Sequence, residues 1–269
     1  MANDYEKKER MRVTVGNLII VYEKMGRKDT YELEIPKKIH YCWFGGNPLG
    51  KTELKCIESW KRYFPDYEII EWNESNYDVN SCDYIKEAYE NKKWAFVSDF
   101  ARFDILYQYG GVYFDTDVEV IKSFNDILKY GSFMGCEIDG GNDNTKIAVN
   151  PGLGIAAHGG HSIYREFLEL YEMRHFCDAS GSIDTTTVVE YMTNLLVKHG
   201  LKNDKGIQEI EGIKIYPKEY FNPYDSRTGE IHCTDRTYSI HHYTASWTTK
   251  RNKVNTKIVQ TFNRLIKKK

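Results

Sequence analysis

The sequence has no apolar run approaching the roughly 20 residues that a membrane-spanning helix needs. Met1 to Arg12 is charged throughout and lacks the apolar stretch of a secretory signal. Cysteine is sparse: Cys42, Cys56, Cys82, Cys136, Cys177 and Cys233 are scattered, with no Cys-x-x-Cys pair, which speaks against a disulfide framework or a zinc site. Internal repeats, low-complexity tracts and Pro/Gly-rich linkers are also missing. Together these absences lead to the expectation of a cytoplasmic protein with reduced thiols.

What is present is an ordinary globular composition, 41% hydrophobic and 28% charged over 269 residues, enough for one large α/β domain or two small ones. Aromatic residues reach 14%, with 21 Tyr, more than packing alone usually calls for and suited to stacking on sugars or bases. The net charge of −2 hides an asymmetry, because Lys250–Lys269 carries eight Lys or Arg and no acid, which leaves about −10 on the remainder. An acidic body argues against a nucleic-acid partner, which would require positive charge over the main face.

Three segments are expected: a β-rich extension over 1–34, a main domain over 35–250, and a basic helix over 251–269. In the first, Arg12–Val15, a Gly16-Asn17 turn and Leu18–Tyr22 read as a hairpin, with a further strand over Thr30–Ile35. In the second, a strand at Ile39–Phe44 precedes a helix over 51–63 with Leu54, Ile57, Trp60 and Phe64 at helical spacing. A strand at Tyr67–Trp72 and a helix near Asp83–Asn91 follow. This alternation predicts a mostly parallel sheet covered by helices. Ser98 is placed to cap a helix that runs to Tyr109 and stops at Gly110-Gly111, and Val112–Phe114 reads as a short buried strand. In the third segment Val254, Ile258, Phe262, Leu265 and Ile266 form one helical stripe among bases, suited to packing on its own domain or to peripheral contact with an anionic membrane surface.

Asp115-Thr116-Asp117 sits at the end of the Val112–Phe114 strand, where open α/β sheets bind ligands. Residues i and i+2 of an extended segment point the same way, and two carboxylates so placed are tolerable around a divalent cation, Mn²⁺ or Mg²⁺ given hard oxygen donors. An Asp-x-Asp triplet alone is most often a solvated turn, but this one follows an apolar strand. Asp99 and Arg102 share a helix face; they form either a simple ion pair worth about 0.3 kcal/mol or a site in which a carboxylate takes sugar hydroxyls and a guanidinium takes phosphate. Ile240-His-His-Tyr-Thr-Ala-Ser-Trp247 makes a downstream cluster that either packs as core or a surface strand, as a His pair before an aromatic most often does, or ligates a cation through imidazole and covers a phosphate and a flat ring with Ser and Trp. Trp43, before Gly45-Gly46, is placed to stack on a base or to fill the core. Asn150-Pro151-Gly152-Leu153-Gly154 is a loop open to close backbone approach.

The order of these pieces is more specific than any one of them. Ile35-Pro-Lys-Lys-Ile-His-Tyr-Cys-Trp-Phe-Gly-Gly46, Ser98-Asp-x-x-Arg102, Leu106-Tyr-x-x-Gly-Gly-x-Tyr-x-Asp-x-Asp-Val118 and His241-His242-x-x-x-Ser246-Trp247 resemble the glycosyltransferase family 32 domain over about 35–250. The family includes bacterial capsular and lipopolysaccharide transferases and yeast mannosyltransferases, and a related domain forms the large clostridial glucosylating toxins. The resemblance implies a GT-A fold, Rossmann-like with a mostly parallel central sheet, and a retaining hexosyl transfer. The implied donor is a nucleotide-diphosphate sugar, a UDP-hexose first, and the implied acceptor a glycan or lipid-linked glycan in bacterial surface polysaccharide synthesis. It further implies Trp43 on the base, Ser98 on the ribose, and Asp99 and Arg102 on the donor sugar. Asp115, Asp117 and His242 would hold the metal, Ser246 and Trp247 would close over the diphosphate, and Asn150 would lie near the anomeric carbon or the acceptor. Ala245 replaces a Gly frequent among relatives, and the toxins use an acid where His242 stands. A sugar-nucleotide hydrolase or a non-catalytic sugar- or metal-binding module are the alternatives; the module would not need Asp99, Arg102 and the His242–Trp247 segment together.

Overall fold

The structure, a computed structural model, describes residues 9–15 and 18–24 as backbone, then 34–141, 145–178, 180–244, 257, 259–261 and 263–264. The chain divides into two compact units, Met1–Glu34 and Ile35–Lys269. In the first unit β1 (Glu9–Val15) pairs antiparallel with β2 (Leu18–Lys24), the expected hairpin. The further strand expected over Thr30–Ile35 falls largely outside the described residues.

The second unit opens with β3 (Lys38–Cys42), α1 (Lys51–Tyr63), β4 (Glu68–Trp72), α2 (Asp83–Glu90) and α3 (Trp94–Tyr109). Next come β5 (Gly111–Tyr113), β6 (Val118–Val120), α4 (Asn125–Leu128), β7 (Phe133–Ile138), β8 (Ala148–Val149) and β9 (Ile155–Ala157). Helices α5 (Ser162–Glu172) and α6 (Val188–Lys198) precede β10 (Gln208–Ile210), β11 (Ile213–Tyr216), β12 (Tyr224–Asp225), β13 (Glu230–Ile231) and β14 (Ser239–His241). The central sheet runs β10-β11-β7-β9-β5-β3-β4, with β8 beside β7. Strands β4, β3, β5, β7 and β11 point one way, and only β9 and β10 on this path run against them. This is the expected α/β architecture with a mostly parallel sheet.

Period-2 alternation sends neighbouring residues of each strand into opposite cores. Ile39 and Tyr41 of β3, Val112 of β5 and Phe133 of β7 join Trp60 of α1 and Phe114, Phe124 and Phe221 on one face. Cys42, Tyr113, Met134 and Cys136 join α2, α3, α5 and α6 on the other. Phe124 is wholly enclosed by Phe64, Phe114, Phe133, Phe221 and Tyr238. Helix α3 buries Val97, Phe100, Ala101, Phe103, Ile105 and Leu106, apolar nearly all round as a helix in the middle of a domain must be.

Two expectations are corrected. Ser98 is not an N-cap: α3 begins one turn earlier, at Trp94, and the Ser98 hydroxyl donates to Trp94 O at 3.1 Å, the way a mid-helix serine satisfies itself. Leu54 alone leaves the expected stripe: it is 54% exposed, whereas Ile57, Trp60 and Phe64 are buried as expected, with Cys56 beside them. Val254, Ile258, Phe262, Leu265 and Ile266 lie outside the described residues. In the same segment Gln260 is buried, donating to Tyr224 Oη at 2.7 Å and to Ser226 O at 3.0 Å, so this part of the tail docks on the β12–β13 turn. Among the described residues no helix is long and apolar enough to cross a membrane.

Candidate active site

The turn that starts β5 is built before any functional group is placed. Gly111 (φ 109°) admits no side chain, since a Cβ there would meet Lys38 O at 2.8 Å. The buried His40 braces the turn. Its Nδ1 accepts from Trp72 Nε1 at 3.0 Å, which leaves Nε2 protonated to donate to Gly110 O at 3.0 Å. Burial holds this imidazole neutral, with a pKa lowered to about 4. β5 then delivers Asp115 and Asp117 to the C-terminal edge of the parallel strands.

Arg102 organises one side. Its Nη2 lies 3.0 Å from Asp99 Oδ1 and 3.1 Å from Asp115 Oδ1, and its Nε donates to Ser98 O at 3.1 Å. The guanidinium, with only 4% of its side chain accessible, sits 5.1 Å over the Tyr113 ring. Burial pushes the Asp99 carboxyl up to about 7, Arg102 pulling it down and Asp115 pushing it further up. Burial also raises Asp115, against the pull of Arg102 and His241. One arginine therefore holds two carboxylates in a poorly solvated place, a costly arrangement that repays its cost where charge must be positioned. Asp115 keeps 27% of its side chain accessible and is the member facing outward.

Asp117 is held differently. His241 Nε2 lies 3.0 Å from Asp117 Oδ1, while Thr244 donates to Oδ2 from its backbone nitrogen at 2.8 Å and from its hydroxyl at 3.0 Å. Burial acts upward on this carboxyl, but His241 and Thr244 outweigh it and hold it well below the usual carboxylate range. The His241 ring is desolvated, which lowers its pKa, but Asp117 outweighs this and raises it overall.

His242, the ligand implied by resemblance, faces elsewhere: its Nε2 lies 2.8 Å from Glu119 Oε2, which also takes Lys55 Nζ at 2.8 Å. The structure thus puts His241 and not His242 against Asp117, since neighbouring residues at a strand end face opposite ways. Tyr243 (φ 48°) follows in the left-handed region, and its ring packs edge-on to His241 at 4.0 Å.

A third wall comes from the Asn150 loop. Asn150 is buried, its Oδ1 accepting from Gly152 N at 2.7 Å and its Nδ2 donating to Glu137 Oε2 at 3.0 Å. Gly152 passes so close to Asp115 that a Cβ on it would stand 2.3 Å from Oδ2. Trp43 follows β3 half-buried, its indole donating to Asn47 O at 2.6 Å. Ser246 and Trp247 lie outside the described residues. The structure therefore brings Asp99, Arg102, Asp115, Asp117 and Asn150 into one cluster, with Ser98 behind Arg102. Sequence reasoning missed the roles of His241, Thr244 and Glu137, while Gly152 was read as part of a loop allowing close backbone approach. The doubled His241-His242 was a visible signal for the first, whereas Glu137 sits in no motif.

The two carboxylates of Asp115 and Asp117 are oxygen donors of the kind a hard divalent cation prefers. In the arrangement described, Asp115 Oδ1 faces Arg102 and both Asp117 oxygens are engaged, and among the described residues no three His, Cys, Asp or Glu side chains are clustered to hold a metal.

Residues 50–134 match the family model described as glycosyltransferase sugar-binding region containing DXD motif. The matched stretch covers under a third of the chain. Asp115-Thr116-Asp117 is its DXD triplet, and Asp99 and Arg102 lie inside the same matched stretch. Inositol phosphoceramide mannosyltransferase 3 of Schizosaccharomyces pombe is 31% identical over 104 residues, 37% of this chain and 29% of that protein. The match thus spans under a third of that relative's length. Among solved structures, the PaToxG glycosyltransferase aligns over 61% of this chain and 69% of its own at 17% identity and a TM-score of 0.46. A glycosyltransferase involved in glycosylation of the major capsid of PBCV-1 aligns over 83% and 100%, at 10% identity and a TM-score of 0.44. The galactosyltransferase LgtC aligns over 83% and 96%, at 12% identity and a TM-score of 0.41.

Proposed function

We propose that this protein is a metal-dependent, retaining glycosyltransferase of the GT-A type that moves a hexosyl group from a nucleotide-diphosphate sugar to a glycan or lipid-linked glycan. The observation that carries the reading is the Arg102 bridge between Asp99 and Asp115, inside the matched sugar-binding region and beside Asp117. Breaking the bond between the anomeric carbon and phosphate leaves negative charge on a nucleoside diphosphate, and a buried guanidinium is a fixed donor for such charge. Asp99, held next to that guanidinium, is suited to sugar hydroxyls and to keeping the ring in place as it becomes oxocarbenium-like.

Asp115 and Asp117, with His241 bracing Asp117, would hold Mn²⁺ or Mg²⁺. When bound, that cation supplies Lewis-acid stabilisation of the leaving diphosphate. Trp43, half-buried just past the C-terminal end of β3, is offered for the nucleotide base. Retention by front-face substitution is our preferred course, because the sequence carries no signature of a nucleophilic carboxylate on the opposite face of the sugar. Synthesis of a bacterial surface polysaccharide, at the cytoplasmic side of the membrane with the basic 250–269 segment against it, is the setting we favour.

Release of nucleoside diphosphate from UDP-hexoses and GDP-mannose, with and without Mn²⁺, tests the reading. GDP-mannose belongs in the panel because the fission yeast relative is named a mannosyltransferase. Turnover of one donor that disappears on chelation is expected. Metal-independent turnover, or none with any donor, would contradict it. Free sugar released at the same rate with and without glycan acceptors would favour a hydrolase.

A further inference from the structure

We infer that Glu137 is the carboxylate that receives the attacking hydroxyl of the acceptor, an inference resting on the nucleotide-sugar reading above. Glu137 lies near the C-terminal end of β7, which points the same way as β5, so it opens on the same sheet edge as Asp115. A continuous path joins them. Asn150 Nδ2 donates to Glu137 Oε2 at 3.0 Å, Gly152 N donates to Asn150 Oδ1 at 2.7 Å, and Gly152 packs directly against Asp115 Oδ2. The charge of Glu137 is also felt at His241 and Tyr243, both beside Asp117.

Glu137 is half-buried, yet among the described residues no cation forms an ion pair with it and no hydrogen bond engages its Oε1. Its free carboxylate oxygen is thus available to accept from a ligand hydroxyl. The other acids of the site are occupied: Asp99 and Asp115 by Arg102, Asp117 by His241 and Thr244. Asp115 divides the site. Its Oδ1 faces Arg102, on the side assigned to the donor sugar, and its Oδ2 faces Gly152, from which Asn150 leads on to Glu137. The second side is left for the acceptor.

There Glu137 Oε1 accepts the hydrogen bond of the attacking hydroxyl and then its proton. The hydroxyl oxygen's electron pair forms the new bond to the anomeric carbon. The bond from that carbon to the phosphate oxygen breaks, its electron pair leaving on the nucleoside diphosphate. Glu137→Gln separates this role from a structural one, because the amide oxygen still accepts from Asn150 while the side chain can no longer take a proton.

The test uses the full chain and water as the acceptor, so no natural acceptor has to be known. Nucleoside diphosphate release from UDP-hexoses and GDP-mannose is measured with Mn²⁺, and binding of UDP and GDP with Mn²⁺ by calorimetry. E137Q should bind these probes within about twofold of wild type and melt within about 2 °C of it. Its kcat for donor turnover should fall at least about 50-fold with the donor KM unchanged. Turnover within about threefold of wild type overturns the inference, as does loss of diphosphate binding in parallel with turnover, which marks a structural role. If wild type is active, Asp117→Asn inactive and E137Q normal, the functional reading stands and the Glu137 role falls. A wild type that turns over no donor overturns both.

Discussion

His241 Nε2 lies 3.0 Å from Asp117 Oδ1, whereas its chain neighbour His242 lies 2.8 Å from Glu119 Oε2. The two imidazoles leave the end of β14 on opposite sides, so only one can serve the Asp115–Asp117 pair. A ligating carboxylate held by a hydrogen-bonding neighbour, as Asp117 is by His241, is pre-oriented, and loss of such a partner commonly costs 10–100-fold in metal affinity or activity. His241→Ala should therefore raise the Mn²⁺ concentration needed for half-maximal donor turnover by about tenfold or more. His242→Ala, which only frees Glu119 to Lys55, should change it less than about threefold. The opposite ranking would return the ligand role to His242.

Gly152→Ala tests how tightly the Asn150 loop is fitted to Asp115. The new methyl would stand 2.3 Å from Asp115 Oδ2, and the carboxylate, being the end of a partly accessible side chain, is what must move. Stability should fall by less than about 1 kcal/mol, because no core atom is displaced. Turnover should fall about 100-fold, the effect of a misplacement near 1 Å. A variant with wild-type turnover would show that the position of Asp115 does not matter.

Arg102 separates charge from geometry. Arg102→Lys keeps a cation but cannot reach Asp99, Asp115 and Ser98 O together, as the fork now does. It should fold and lose about 100-fold in turnover. Arg102→Ala leaves two buried carboxylates facing each other and should cost roughly 3 kcal/mol of stability as well. Equal stability of the two variants, measured by urea unfolding, would contradict the bridge.

Much of the frame was legible because it rests on local rules. The strand-helix alternation, the Gly110-Gly111 stop and the strand leading to Asp115 follow from periodicity and from glycine's conformational freedom. Arg102 was legible as a neighbour of Asp99 on one helix face, but its second partner, Asp115, needed the fold. Asn150 was seen as part of a loop, while its link to Glu137 depends on β7 and β8 lying side by side. His241 against His242 was undecidable from spacing, since a one-residue change of facing is set by the pairing of β14 with β6. Ser98 misled because a serine that bonds to the i−4 carbonyl looks in sequence like a cap.

His40 carries a pH prediction. Its folded pKa of about 4 lies below the ordinary 6.5, so the neutral ring is the one the fold holds. Its contribution to stability is complete above about pH 6.5 and is lost as the pH falls towards 4, at about 1.4 kcal/mol per unit. Asp99 acts in the opposite sense, because its raised pKa makes its ionisation in the fold costly as the pH rises towards 7. The net pH profile therefore mixes the two, and the ring itself is the cleaner probe. NMR titration should find the His40 ring neutral, with its proton on Nε2, down to about pH 5. A midpoint near the ordinary value would contradict the brace it forms under Gly110.

The most direct measurement is Mn²⁺-dependent nucleoside diphosphate release by wild type and Asp117→Asn, assayed side by side on UDP-hexoses and GDP-mannose. Wild type should turn over one donor and lose that activity on chelation. Asp117→Asn should keep its fold, read by a cooperative thermal transition at a somewhat lower temperature, and lose at least about 100-fold of the turnover. Near-wild-type turnover by Asp117→Asn would contradict the account.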